Sequence, residues 1–150
     1  MKRYILLLLV GVLILACKNS ANTIDTGNPS EIERVSILDT FSITQNPNGK
    51  WIANAETHLG FRKMDSIITK FRAENKTDYI ELGNQLSEQT GFIIKHCSMK
   101  GEAHDQLHVI LIPMLDEISV LKEENNNEKA KSALYNLEQL SSAYFKYFSI

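Results

Sequence analysis

From Trp51 onward the apolar residues recur every three or four positions in four separate runs. Phe61, Met64, Ile68 and Phe71 share one helical face, and Asn54 ahead of them is a suitable N-cap, which predicts a helix over 55–74. Asn75-Lys76-Thr77 reads as a turn with Thr77 as the next cap. Tyr79, Leu82, Leu86, Ile93 and Cys97 then line a second helix over 78–98. Ala103, Leu107, Ile110, Met114, Ile118 and Leu121 mark a third over 102–123. After the break at Asn125-Asn126-Asn127, Ala130, Leu134, Leu137, Tyr144 and Phe148 mark a fourth over 128–148. Helices of about 20 residues are each about 30 Å long. Equal lengths and short connections favour antiparallel neighbours, so the pattern predicts an all-α, up-down-up-down four-helix bundle over 51–150. Pro113 falls inside the third helix, where it removes the bond to the Val109 carbonyl and should kink the helix or split it.

Residues 1–50 follow a different pattern. Lys2 and Arg3 precede an almost wholly apolar run from Tyr4 to Leu15. That run is shorter than the about 20 residues a membrane-spanning helix needs, and suits the core of a secretory signal. The string Ile14-Leu15-Ala16-Cys17 resembles the lipobox of bacterial lipoproteins. The resemblance implies cleavage after residue 16 and a lipid on Cys17. Lys18 follows, with no aspartate at that position. By analogy with lipoprotein sorting, this implies the periplasmic face of the outer membrane. Residues 18–30 are rich in Asn, Ser, Thr, Gly and Pro, as in a flexible tether. Residues 31–50 form an ambiguous lead-in to the bundle. Val35, Leu38 and Phe41 fit a helical stripe, and Asn46-Pro47-Asn48-Gly49 breaks the chain. The organisation is thus a signal at 1–16, lipidated Cys17 with tether and lead-in at 17–50, and the bundle at 51–150.

Composition adjusts this picture in two ways. Part of the 43% hydrophobic content belongs to the signal, and removing Lys2 and Arg3 moves the formal charge from −2 to −4. No dense basic footprint remains for nucleic acid, nor a polybasic surface to reinforce membrane attachment, which falls to the acyl chains. With two cysteines, one of them at the lipobox, a disulfide-stapled scaffold is excluded.

The candidate chemistry is concentrated in one window. Beyond Cys17 the chain holds eight Cys, His and Met residues, and six of them fall between His96 and Met114. His104 and His108 are one helical turn apart and share a face. Cys97 ends the preceding helix, and Met99 lies in the connecting loop. A thiol, a thioether and two imidazoles form a soft-to-borderline ligand set that suits copper, above all Cu(I), with zinc as second choice. Calcium and magnesium want oxygen ligands. The topology puts His58 at the same end as a further candidate ligand, with Trp51, Tyr144 and Phe148 as covering groups. Met64 and Met114 lie about two turns deeper and read as core; His96, rotated by about 100° from Cys97, reads as exposed. The competing account of the same residues is structural, with Cys97 in the core, the histidines at a solvated border and Met99 plugging the bundle end.

Other chemistries lack their residues. There is no Cys-x-x-Cys-His for covalent haem. The Glu-x-x-His of di-iron bundles is absent, since Glu102 precedes His104 by two positions. No phosphate loop, nucleophile elbow or zinc-protease helix occurs. Cysteine–histidine catalysis lacks a third orienting group, so the chain reads as no enzyme.

The string Lys50-Trp51, Asn54, Glu56-Thr57, then Cys97-Ser98-Met99, Gly101, His104, Leu107-His108 and Pro113 resembles a group of small bacterial envelope lipoproteins. Their pattern is approximately K-W-x-x-N-x-E-T followed by C-T-M-x-G-x-x-H-x-x-L-H, and Ser98 replaces the usual threonine here. The resemblance implies a helical bundle in the cell envelope and makes the Cys-Met-His-His string a signature, but brings no activity with it. The expectation is a lipid-anchored bundle binding copper for sequestration, sensing or transfer. The alternatives are a metal-free interaction module that uses the apolar third helix around Val109 and Ile112, and a haem or redox bundle.

Overall fold

In the computed structural model residues 37–123 and 125–150 are described; the signal, Cys17, the 18–30 tether and the start of the lead-in lie outside them. Four helices follow in order: α1 (Ala55–Ala73), α2 (Tyr79–His96), α3 (Glu102–Glu123) and α4 (Asn127–Tyr147). Each packs along the next, and α1 returns against α4, which closes the bundle. The all-α, up-down-up-down arrangement expected from the apolar spacing is the one found.

The helix ends show why the chain turns where it does. The cap of α2 is Asp78, whose carboxylate accepts from the Glu81 amide at 3.0 Å, one residue later than the Thr77 expected. Asn126 caps α4 by accepting from the amides of Glu128 and Lys129 at 2.9 and 3.3 Å. Asn75 takes a left-handed φ of 51° just beyond α1, a conformation asparagine tolerates. Gly101, at φ 63°, turns the chain into α3, and its carbonyl accepts from the His104 and Asp105 amides.

The expected stripes form the core. Phe61, Met64, Leu86, Ile93, Met114, Leu121, Leu137 and Tyr144 are fully buried. Gly60 lets α1 approach α2 closely, since a Cβ there would stand 2.3 Å from Ile93 Cγ1. Pro113 does not split α3, which continues through it as one helix with the proline ring buried. The Val109–Ile112 run is not enclosed on all sides. Ile110 and Leu111 are buried and Val109 is half-buried, while Ile112 is 54% exposed.

A pair of two-residue strands is the feature the periodicity did not indicate. β1 (Trp51–Ile52) runs parallel to β2 (Phe148–Ser149), with Trp51 opposite Phe148, and Ala53 N–H donates to the Ser149 carbonyl at 2.8 Å. This ties the entry of α1 to the exit of α4. The lead-in lies against the bundle: Ile37, Leu38, Phe41 and Ile43 are partly buried on the core, and 37–40 form a 3-10 turn. The Trp51 indole N–H donates to the Thr44 carbonyl at 2.7 Å, and the Thr44 amide donates to Gln106 Oε1 at 2.8 Å. Among the described residues no helix is long and apolar enough to cross a membrane.

Candidate functional site

The topology sends the start of α1, the end of α2, the start of α3 and the end of α4 to one end of the bundle. Asn54 holds that end together. Its Nδ2 donates to the His96 carbonyl at 3.0 Å and to Glu56 Oε2 at 2.7 Å, and its Oδ1 accepts from the buried Thr57 hydroxyl at 2.6 Å. Asn54 therefore occupies the cap position of α1 without capping it by its side chain. It bolts α1 to the last turn of α2 instead. The spacing marks Asn54 as a cap and the resemblance includes it in the Asn-x-Glu-Thr string; the long-range bond to His96 is not readable from either.

Two clusters share this end. The first is built on Tyr144, whose ring lies between Phe61 and Phe148, nearly parallel to both, with centroids at 3.6 and 5.1 Å. His58 Nδ1 is 3.2 Å from the Tyr144 hydroxyl. Burial, then the fields of Arg62 and Lys50, hold the His58 imidazole below its ordinary range. Burial, with a smaller contribution from the Cys97 sulfur, pushes the Tyr144 hydroxyl well above its ordinary range. A neutral imidazole beside an un-ionised phenol is the stable state of this pair near neutral pH. Trp51 and Phe148 cover the same end, as expected.

The second cluster is the histidine pair on α3. The His104 and His108 rings lie 4.3 Å apart between centroids, with 57° between their planes. His104 is half-buried and His108 exposed. Neither ring has a hydrogen-bond partner among the described residues, so all four ring nitrogens are free to bind something else. Met99, half-buried, packs against the core from the α2–α3 loop. Cys97 carries a free, half-buried thiol at the C-cap of α2, with its amide bonded to the Ile93 carbonyl at 2.8 Å.

These placements revise the expected ligand set. Among the described residues no three His, Cys, Asp or Glu side chains are grouped so as to hold a metal ion. Cys97, His104 and His108 occupy one end of the bundle without forming such a group. His104 is half-buried and His108 exposed at the edge of α3, and Cys97 is half-buried at the end of α2. His58 is engaged with Tyr144 through Nδ1. His96 is exposed, with Nδ1 2.8 Å from the Phe92 carbonyl, and Met64 and Met114 are core residues. What remains for a soft metal is an imidazole pair with a thioether and a thiol on the adjoining loop.

No protein family, no curated protein and no solved structure matches the chain.

Proposed function

We propose that the protein is a lipid-anchored envelope bundle, held through Cys17, that binds a soft metal ion at the α2–α3 end for sequestration, sensing or transfer without turnover. Copper is preferred and zinc comes second, because imidazole and sulfur donors serve both while the thioether favours Cu(I). The observation that carries this reading is the His104–His108 pair. The two rings are 4.3 Å apart and bonded to nothing else among the described residues. Two imidazoles one helical turn apart on the same face can each turn a ring nitrogen toward a common ion. In this reading the pair nucleates the site, and Met99 and Cys97 turn toward it when the metal is held.

An anaerobic Cu(I) titration of the purified protein against a competing chelator tests it. The wild type should exceed a His104→Ala, His108→Ala double variant by more than tenfold in affinity, and Cys97→Ser should fall between them. Equal affinities for wild type and double variant would sink the reading. The 54% exposure of Ile112 supports a second one, a metal-free module that meets a protein partner over Val109 and Ile112. A wild type that binds no Cu(I) would favour it.

A further inference from the structure

The seam between α1 and α4 is less tightly packed than the other three, and an open groove of about 710 Å³ lies along it. His58, Arg62, Ser66 and Thr69 follow one another at helical spacing along α1 and form one wall. Asp65 and Lys70 of α1 and Phe145 of α4 also line it.

Of the six polar side chains lining this groove, His58, Asp65 and Lys70 have partners in Tyr144, Ser141 and Glu74, and the other three are uncommitted. The side chains of Arg62, Ser66 and Thr69 make no hydrogen bond or ion pair among the described residues. Asp65 accepts from the Ser141 hydroxyl at 2.9 Å through Oδ1, which leaves Oδ2 for a further donor. Arg72, by contrast, is neutralised further along the seam by Glu138, with Nη2 3.0 Å from Oε2. Lys50 brings its ammonium to the rim by donating to the Phe145 carbonyl at 2.6 Å. The upper groove therefore concentrates positive charge from Lys50 and Arg62 beside His58, and the lower groove offers hydroxyls and one carboxylate oxygen. The Phe145 ring is set edge-on to both His58 and Tyr144, with interplanar angles of 89° and 84°, which fixes it as an apolar wall.

We propose that this groove binds a sugar acid, with its acidic group on Arg62 and His58, its hydroxyls on Ser66, Thr69 and Asp65, and its apolar face on Phe145. A guanidinium fork matches a carboxylate in plane. The hydroxyl side chains and the spare Asp65 oxygen match a ring bearing several hydroxyls, which a simple fatty or aromatic acid lacks. The site uses none of the proposed metal donors and stands or falls independently of them.

The test is a titration of the purified protein with glucuronate, followed by the His58 imidazole proton resonances. Glucuronate should give saturable shifts at about millimolar concentration, and saturation should raise the His58 pKa because an anion then opposes Arg62 and Lys50. Glucose and acetate, which each carry half of the recognised chemistry, should bind at least about tenfold more weakly. Arg62→Gln should weaken glucuronate by about tenfold. Lys63→Gln, which removes a cation lying over the Phe92 ring away from the groove, should leave it unchanged. The exposure of Arg62 keeps that substitution from disturbing the core. Absence of saturable shifts, acetate or glucose as strong as glucuronate, or an Arg62→Gln variant that binds normally would each overturn the proposal.

Discussion

His58 Nδ1 stands 3.2 Å from the hydroxyl of Tyr144, a residue with no exposed surface whose ring is stacked on Phe61. The contact joins the first turns of α1 to the last turn of α4, at the place where β1 and β2 also tie the two ends of the domain. A titratable group thus sits at the junction that closes the bundle.

This makes stability depend on pH with a definite sign. The folded protein holds His58 below its ordinary range through burial and the nearby cations Arg62 and Lys50. In the window between the lowered folded pKa and the unfolded value of about 6.5, the unfolded chain binds the proton more readily. Stability is therefore fully present above that unfolded value and falls as the pH drops through the window. Urea midpoints at about pH 7.5 and about pH 5.5 should differ in the wild type, and the difference should shrink in His58→Gln. Identical differences in the two proteins would show that His58 carries no such linkage. Glu117 acts in the opposite sense, because burial raises its carboxyl, so the comparison must be made between the two proteins and not from one curve.

Asn54→Ala removes the bonds to His96, Glu56 and Thr57 together, and leaves the fully buried Thr57 hydroxyl without its acceptor. The expected loss is about 2 kcal/mol, since an orphaned buried donor adds to the bonds lost. Asn54→Asp keeps the acceptor for Thr57 but sets a carboxylate oxygen against Glu56 Oε2 and the His96 carbonyl, so it should not recover the wild-type stability. Chemical denaturation measures the series; a loss no larger than that of an exposed helix substitution would remove Asn54 from its role as the bolt between α1 and α2.

Two glycines separate close approach from ordinary helix cost. Gly60→Ala forces a Cβ against Ile93 Cγ1 at 2.3 Å and Cδ1 at 2.9 Å, and should destabilise by about 1–3 kcal/mol. Gly91→Ala meets nothing within 4 Å, so the gain in helix propensity should stabilise by about 0.5–1 kcal/mol. Thermal midpoints shifting in opposite directions are the expected result, and a shared direction would contradict the α1–α2 packing described.

The repeat of apolar residues at 3.6-residue spacing determined four helices and their partners. Periodicity is local, and stripes of equal length joined by short loops leave few ways to be buried. Met64 and Met114 were legible as core for the same reason. The ends of helices were less legible: Asp78 rather than Thr77 caps α2, because the choice depends on which side chain meets the Glu81 amide. Pro113 left open whether α3 splits, and packing of the flanking residues carries the helix through it.

The site was legible as a concentration of residue types and not as a geometry. Spacing alone placed His104 against His108, since one helical turn separates them. It also brought Cys97 to the same end, but how far its thiol is buried there follows from how α2 packs against its neighbours. Topology put His58 at this end of the bundle, yet its partner is the hydroxyl of Tyr144, 86 positions further along the chain: a contact between α1 and α4 that no local pattern encodes. The groove with Arg62, Ser66 and Thr69 was invisible in sequence, where these residues look like an ordinary solvated helix face. Local periodicity decided which residues are inside; only the mutual rotation and closure of four helices decided which polar groups meet, because those meetings join residues that the chain itself keeps far apart.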